Sequence, residues 1–356
     1  MMAFFSRGKR TPQPADPSAA AAPAEADETT PADAEQVEAP AAEQAETPTV
    51  DAPEPASTPE VPDAAAEASV PISVSSFRGL NATPPPRRPA PETAPVPKQS
   101  VSGLRDNVVV VAALARITGA PTTADLVDVG RQLMQGHLFL RVKGDARSLL
   151  SQGRPVPFAL ATVGEKRYVI AYSSGGAMQA SVRADGDADT SAMGQPVLSV
   201  LRAVLAGPHD GLLIDPSSAP ARAILSRDLI EKMVDGADPE LTIKSLLVAE
   251  RTAATASSVA FALANTRFWI AVNRVGDTGK LGIAEARNPE GERFIELYSH
   301  PLEVVALGRG DQPAPMTGEQ LGKALAVDDQ LAGAIVDPGG PWIRLSREDL
   351  LSVLPG

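Results

Sequence analysis

Residues 211–216 read Gly211-Leu212-Leu213-Ile214-Asp215-Pro216, and residues 333–338 read Gly333-Ala334-Ile335-Val336-Asp337-Pro338. Each stretch is a short apolar run that begins with glycine and ends before proline, a pattern typical of a buried strand. The two stretches align without a gap. We interpret them as the same strand of the same domain, present twice in one chain.

Two further matches occur in the same order along the chain. The stretch 164–173 returns as 291–299 with one residue fewer in its turn, and Leu225-Ser226-Arg227-Asp228 returns as Leu345-Ser346-Arg347-Glu348. The spacing between the copies shortens steadily, and residues are lost only in loops. The sequence therefore predicts a domain duplication, with a first repeat over residues 104–235 and a second repeat over residues 237–356.

Apolar periodicity predicts the elements of each repeat. In the first repeat, helices are expected over 108–117, 126–135, 196–205 and 227–234, and strands over 137–142, 158–163, 167–172 and 211–215. We interpret residues 185–191 as a polar loop and Pro196 as the first residue of a helix. In the second repeat, helices over 239–250 and 256–264 precede a strand over 268–272. The order predicts an α+β fold, in which each repeat is a small mixed β-sheet packed on helices.

The segment that precedes the first repeat has a very different composition. Residues 11–77 contain 14 acidic residues and no lysine or arginine, although the whole 356-residue chain has a net charge of only −12. Residues 11–100 contain a single aromatic residue, Phe77. A segment this poor in apolar side chains cannot offset the entropy that ordering costs. We expect residues 1–100 to be a long disordered tail, rich in alanine, proline and glutamate.

Composition also excludes several classes of site. The chain has no cysteine, which excludes disulfides, thiolate metal sites and cysteine nucleophiles. Its three histidines, His137, His209 and His300, are far apart and lack the spacing of metal ligands. No apolar run is long enough for a membrane span, and no secretory signal is present. We expect a soluble cytoplasmic protein with no metal, no cofactor and no catalytic residues.

The end of each repeat resembles a known family. A short apolar strand, Asp-Pro, a variable loop and then Ser-Arg-Asp or Ser-Arg-Glu before a terminal helix are similar to the SseB (enhanced serine sensitivity) N-terminal domain, at residues 211–234 and 333–354. The family more often has Asn-Pro where this chain has Asp215-Pro216 and Asp337-Pro338. The resemblance implies a cytoplasmic bacterial protein without established catalytic residues. The alanine-, proline- and glutamate-rich composition of residues 1–100 is similar to that of segments that precede such domains in actinobacterial proteins.

The candidate ligand-binding residues are those that recur in both repeats. They are Tyr172, Asp215 and Arg227 in the first repeat, and Tyr298, Asp337 and Arg347 in the second. Each aspartate follows a strand, where α/β proteins often place ligand groups, but a turn fixed by the proline, which repeats because the fold repeats, is the favoured interpretation. Each tyrosine ends a strand, as a ligand contact or as a sheet-edge aromatic. Each arginine opposes the dipole of the helix that it begins, which suggests a carboxylate or phosphate partner. The favoured alternative is a structural role, in which the adjacent Asp228 or Glu348 is that partner or is an ordinary acidic residue of the first helical turn.

The first ten residues combine aromatic and basic side chains. Phe4 and Phe5 are followed by Arg7, Lys9 and Arg10. Such a segment has the composition of a short docking peptide that contacts a protein partner or an anionic membrane surface, although a plain translation start is the alternative. Basic residues do not cluster with aromatic residues in the repeats, so nucleic-acid binding is not expected.

These observations favour a non-enzymatic interaction or scaffold protein with two SseB-like domains. The alternative is an enzyme or small-molecule sensor with a pocket formed by the tyrosine and aspartate of one or both repeats. The two hypotheses differ in the position of these side chains, because a ligand pocket requires that they meet in a concave, accessible site.

Overall fold

Both repeats are built around two neighbouring parallel strands, the second of which ends at the Asp-Pro sequence. The computed structural model describes residues 90–153, 156, 158–275, 280–351 and 354. These residues combine helices and mixed sheets in an α+β fold, as predicted. Residues 1–89, which comprise most of the predicted tail, lie outside the described residues.

The first repeat alternates short helices and strands. Its elements are α1 (Val108–Leu114), α2 (Thr123–Leu133), β1 (His137–Lys143), α3 (Ala146–Ser151), β2 (Leu160–Val163), β3 (Lys166–Ala171), α4 (Gly175–Asp185), β4 (Thr190–Pro196), α5 (Val197–Ala206), β5 (Gly211–Ile214), β6 (Ala223–Ser226) and α6 (Arg227–Asp235). Helix α2 begins with a capping box in which Thr122 and Asp125 satisfy each other's backbone N–H groups.

The second repeat follows the same general order. Its elements are α7 (Thr242–Val248), α8 (Thr255–Asn265), β7 (Phe268–Val275), β8 (Lys280–Ile283), β9 (Glu285–Arg287), β10 (Arg293–Tyr298), α9 (Pro301–Ala306), β11 (Gln312–Met316), α10 (Gly318–Val327), β12 (Leu331–Val336), β13 (Ile343–Ser346) and α11 (Arg347–Leu351). Helix α10 also begins with a capping box, formed by Thr317 and Gln320.

The strands of the two repeats pair in the same way. β3 lies parallel to β5, which pairs antiparallel with β6, and β10, β12 and β13 have the same arrangement. β1 pairs antiparallel with β4, as β7 does with β11. The connection between these two parts of the sheet differs, because β1 meets β3 only at the Phe139–Tyr172 bridge while β7 and β10 form a short ladder.

The glycine that opens each repeated strand is required by close packing. A Cβ atom on Gly211 would lie 2.1 Å from the carbonyl oxygen of Leu225, and one on Gly333 would lie 2.0 Å from that of Leu345. These distances are far below van der Waals contact, and the obstructing atoms belong to the backbone of β6 and β13. The glycine at the start of the repeated motif therefore allows the two strands to approach.

Each repeat has an apolar core formed largely by its own side chains. Leu133, Leu201 and Leu212 are buried in the first core, and Leu263, Leu297 and Leu345 in the second. The first core also includes Leu302, which lies on α9 of the second repeat. The two repeats therefore pack against each other through α2 and α9.

The chain packs on the repeats earlier than predicted. Residues 90–107, which include the end of the predicted tail, contact both repeats. Trp342 donates from its indole Nε1 to the carbonyl oxygen of Ala90 at 3.2 Å, and Gly176 donates from its N–H to Ser100 Oγ at 2.7 Å. The predicted tail therefore extends too far along the chain, because residues 90–100 already pack against the repeats.

Several predicted elements need correction. The sequence did not predict helix α4 or strands β4 and β11. Residues 190–196 form strand β4, whereas the prediction placed a loop over residues 185–191 and the start of a helix at Pro196. Pro196 is the residue before α5 and not its first residue. The order of three strands followed by helix, strand and helix is therefore incomplete, because a helix and a strand are inserted after the third strand.

Candidate functional site

The two Asp-Pro turns have the same internal geometry. Asp215 and Asp337 adopt left-handed backbone conformations, with φ of 53° and 51°. The carboxylate of Asp215 accepts hydrogen bonds from Ser173, from its N–H at 2.8 Å and from its Oγ. Asp337 accepts from the N–H and Oγ of Ser299 at 2.7 and 2.6 Å. Each aspartate therefore joins the end of β5 or β12 to the chain that leaves β3 or β10.

Burial raises the pKa of both aspartates to about 6. Their surroundings nevertheless differ. Asp337 has Lys244 at 3.4 Å from its Oδ2 and Glu303 close by. Asp215 has no basic partner among the described residues, and the charge of Asp106 adds to the rise in its pKa. Among the described residues, the aspartate of the Asp-Pro turn belongs to a cluster of opposite charges in the second repeat and not in the first.

The two predicted tyrosines are buried and bound to protein groups. The hydroxyl of Tyr172 donates to Ser181 Oγ on α4 at 2.9 Å. The hydroxyl of Tyr298 donates to Glu296 Oε2 at 2.5 Å and accepts from Arg309 at 2.7 Å. Burial raises the pKa of both phenols, and Glu296 adds to the rise at Tyr298.

The two predicted arginines bind the end of the preceding helix. Arg227 donates to the carbonyl oxygen of Leu205 at 2.6 Å and to those of Gly207 and His209 at 3.1 and 3.0 Å. Arg347 occupies the same position in the second repeat. It donates to the carbonyl oxygens of Leu325, Asp328 and Leu331 at 2.6, 3.0 and 3.2 Å. These arginines therefore satisfy carbonyl groups at the C-terminal ends of α5 and α10.

The six predicted ligand residues do not meet in one concave site. Tyrosine and aspartate are in the core of their repeat, and each arginine lies at a helix junction. A ligand role for these residues stays a prediction that has no support from their positions. The predicted docking residues Phe4, Phe5, Arg7, Lys9 and Arg10 lie outside the described residues.

A cluster of buried charges joins the two repeats. Arg131 on α2 donates to Glu303 Oε2 at 3.0 Å and to the carbonyl oxygen of Gly340 at 2.7 Å. Lys244 on α7 forms ion pairs with both Glu303 and Asp337. Lys244, Glu303 and Asp337 are only 2%, 1% and 0% exposed. Arg131 also forms an ion pair with the more exposed Asp128 at 2.6 Å. We call Arg131, Lys244, Glu303 and Asp337 the inter-repeat charge cluster.

The sequence contained a signal for this cluster. Lys244 lies in the helix Thr-Ile-Lys-Ser-Leu-Leu-Val and Glu303 in Pro-Leu-Glu-Val-Val-Ala, so each is a lone charge in an apolar helix. Charged residues are rarely buried unless they are paired. Lone charges in apolar helices therefore indicate a buried partner, although they do not identify it.

His300 provides a second connection between the repeats. Its ring Nε2 lies 2.9 Å from the carbonyl oxygen of Met233 on α6, and its Nδ1 accepts from the N–H of Leu302 at 3.1 Å. These partners require a neutral ring with its proton on Nε2. Burial lowers the pKa of His300 to about 4. The histidine therefore acts as the N-cap of α9 and binds the end of the first repeat.

An apolar cavity of about 520 Å³ lies between the two repeats. Its walls come from α2 and α6 of the first repeat and from β7, α9 and β11 of the second. Val127, Trp269 and Leu302 are among the lining residues. We call this space the inter-repeat cavity. None of the six predicted ligand residues lines it.

A few polar groups accompany the apolar walls of the cavity. Lys232 and Asp235, both near the end of α6, line it together with Asp311. The Asp311 carboxylate is already bound by Arg309 at 2.8 Å and by Asn273 at 3.0 Å. This combination of broad apolar walls and few polar groups is typical of a small-molecule site.

Other kinds of site find no support in the described part of the chain. No group of three or more acidic or histidine side chains there is arranged to hold a metal ion, and no helix there is long and apolar enough to cross a membrane. No family model, curated protein or solved structure matches the chain.

Proposed function

We propose that this chain is a non-enzymatic, SseB-like cytoplasmic binding protein that holds a small apolar molecule between its two repeats. The single observation that carries the proposal is the inter-repeat cavity. The broader role as an interaction or scaffold module, with a protein or membrane-surface partner at residues 1–10, stays an expectation from the sequence.

The size and position of the cavity support a ligand site. Small-molecule pockets have volumes of roughly 300–1,000 Å³ and occur preferentially at interfaces between domains. The inter-repeat cavity, at about 520 Å³, lies within this range and has walls from both repeats. Trp269 contributes a large apolar surface to it. Burial of an apolar ligand against such walls releases water from both surfaces and favours binding.

The hydrogen bonds of the buried tyrosines, aspartates and histidine support a non-catalytic role. A catalytic nucleophile or base must reach a substrate, whereas Tyr172, Asp215, Tyr298 and Asp337 are buried and hydrogen-bonded within the protein. His300 is also buried, with both ring nitrogens engaged. These groups stabilise the repeats and are poorly placed to react.

Tryptophan fluorescence provides a direct test. The chain has two tryptophans, and Trp269 lines the cavity. In a Trp342→Phe variant, Trp269 is therefore the only indole. We expect titration with octan-1-ol, a neutral apolar probe, to shift its emission in a saturable way. Ala124→Phe and Ala306→Phe, which place bulk at two lining positions, should weaken this response about tenfold when combined.

A matched substitution controls for general effects of added bulk. Ala206→Phe introduces the same side chain at an exposed helix position outside the cavity lining, and it should leave the titration unchanged. Far-UV circular dichroism verifies that all variants remain folded. The proposal is wrong if octan-1-ol produces no saturable change, or if the cavity-filling variants respond as Ala206→Phe does.

A further inference from the structure

The inter-repeat cavity contains a cationic side chain for which the described residues provide no partner. Lys232 lies in the last turn of α6 and lines the cavity. Among the described residues, none makes a hydrogen bond or an ion pair with its ammonium group. Asp228, one turn earlier on α6, influences it only as a nearby charge. Lys232 is therefore available to a ligand in the cavity.

The two acidic residues at the cavity differ from Lys232 in their environment. Both oxygens of Asp311 already accept hydrogen bonds, from Arg309 and from Asn273. Asp235 is exposed at the C-terminal end of α6, where water screens its charge. Lys232 is half-buried. Burial lowers the pKa of Lys232 below that of a free lysine, because a partly buried ammonium group has fewer water molecules around it.

A ligand anion compensates for this lost hydration. An opposite charge interacts more strongly with a partly buried ammonium than with an exposed one, since the local dielectric constant is lower. A phosphate dianion requires more donors than one lysine supplies, and arginine is better suited to bind it with two parallel hydrogen bonds. A single lysine matches the single negative charge of a carboxylate.

We propose that the inter-repeat cavity binds a molecule with an apolar body and one carboxylate group, and that Lys232 holds the carboxylate while the body lies against Trp269 and Leu302. This inference rests on the proposed function, because it requires that the cavity takes a ligand. It adds the chemical class of the ligand and the residue that selects it.

Three probes of equal chain length separate charge from apolar contact. Octanoate, octan-1-ol and octylammonium are titrated against the Trp342→Phe variant near pH 7, with Trp269 emission as the signal. We expect octanoate to bind about tenfold more tightly than octan-1-ol, as one charge-assisted hydrogen bond provides. Octylammonium should bind more weakly than octan-1-ol, because its charge has the same sign as that of Lys232.

Substitutions at Lys232 assign the preference to one residue. Lys232→Gln should abolish the preference for octanoate while the affinity for octan-1-ol stays within about twofold, and Lys232→Arg should retain the preference. Lys323→Gln is the matched control: it makes the same substitution at an exposed position of α10 outside the cavity lining and should not reduce octanoate binding. Retention of octan-1-ol binding also verifies that each variant has kept the cavity.

The outcomes distinguish this inference from the function on which it rests. If none of the three probes binds, the proposed function fails and the inference fails with it. If octan-1-ol binds as tightly as octanoate, or if Lys232→Gln weakens both equally, only the carboxylate assignment is wrong. Stronger binding of octylammonium would likewise contradict the assignment and indicate Asp235 as the selecting residue.

Discussion

Asp215 and Asp337 are the same residue in the same turn, but they have different neighbours. Both accept two hydrogen bonds from a serine, and burial raises the pKa of each to about 6. Asp337 also has Lys244, whereas the nearby charge at Asp215 is that of Asp106. The two positions therefore offer a controlled comparison within one molecule.

Asp215→Asn should stabilise the protein at neutral pH. Asparagine tolerates the left-handed conformation and its side-chain oxygen still accepts from the N–H of Ser173, while the cost of burying a charge disappears. Because the folded pKa of Asp215 lies above the unfolded value of 3.8, its contribution to stability is present below pH 4 and is lost as the pH rises through about 6.

The measurement is the free energy of unfolding in urea at several pH values. The advantage of Asp215→Asn over the natural chain should grow between pH 4 and pH 6.5, by about 2 kcal/mol. Asp337→Asn is the matched variant: burial raises the pKa of Asp337 to the same value, so the same pH trend is expected, but the gain at pH 7 should be smaller because the substitution also removes an acidic partner of Lys244. An advantage of Asp215→Asn that does not change with pH would contradict this account.

Repetition in the sequence identified important residues but not their roles. Asp215, Tyr172 and Arg227 were selected because they recur. The structure gives equivalent hydrogen bonds to the two aspartates and to the two arginines, but different partners to the two tyrosines. Lys244 and Lys232 were missed because neither lies in a stretch of sequence that is repeated. A residue whose function depends on the contact between repeats has no reason to be repeated.

At the scale of elements, Arg227 and Arg347 each stabilise the junction between two successive helices that are separated in the chain by two strands. Arg227 is the first residue of α6 and its guanidinium group binds carbonyl groups at the end of α5. The negative end of one helix dipole thus neutralises a cation that begins the next helix. This explains why an arginine is tolerated at a helix N-terminus in both repeats.

Arg227→Met should weaken this junction. The substitution keeps much of the aliphatic side chain but removes donors to at least three carbonyl groups, including those of Leu205 and His209. We expect a loss of about 2 kcal/mol in the free energy of unfolding, measured by urea denaturation with circular dichroism. Arg202→Met, at an exposed position of α5, should cost less than about 0.5 kcal/mol. Equal effects of the two substitutions would refute the junction role.

The elements that sequence reasoning missed share a physical cause, which is that local propensity opposes them. Strand β11 contains Pro313 and Pro315, which local propensity disfavours in a strand. The strand forms because it lies at the edge of the sheet and pairs only with β7. Prolines at alternate positions direct their missing N–H groups away from the partner strand. Helix α4 begins with Gly175 and Gly176, and a Cβ on Gly175 would lie 2.7 Å from the side chain of Val101. Tertiary contacts, which no local pattern reveals, decide both elements.

At the scale of the whole molecule, the inter-repeat charge cluster makes the two repeats depend on each other. Arg131 belongs to the first repeat, and Glu303, Lys244 and Asp337 to the second. Separation of the repeats would expose the cluster and remove a partner from Glu303. We expect the two repeats to unfold in one cooperative step.

Glu303→Gln should destabilise the molecule by about 3–5 kcal/mol, because it leaves two buried cations with one carboxylate fewer. Glu319→Gln, the same substitution in an exposed ion pair with Lys323, should have almost no effect. Tryptophan fluorescence reports only on the second repeat, while circular dichroism reports on both. In the natural chain the two unfolding curves should coincide, and separate midpoints would show that the repeats unfold independently.

The cavity lay beyond the reach of sequence analysis for a related reason. Its walls include Val127, Lys232 and Trp269, which are distant in the chain and belong to different repeats. Each of these residues fits an ordinary pattern for its own helix or strand. The fold class followed from local periodicity and repetition, whereas the cavity exists only because the repeats pack against each other.

The inter-repeat charge cluster also has a consequence for how this chain evolves. The third residue of α9 is Glu303, whereas the third residue of the corresponding helix α4 is Ala177. Recombination that replaced the second repeat with a further copy of the first would therefore bury Arg131 opposite an alanine. Such an exchange would remove one of the two carboxylates that Arg131 binds, and Asp128 would remain as its acidic partner. The two repeats are therefore not equivalent at this position, because the carboxylate that Arg131 needs from the neighbouring repeat is present in α9 and not in α4.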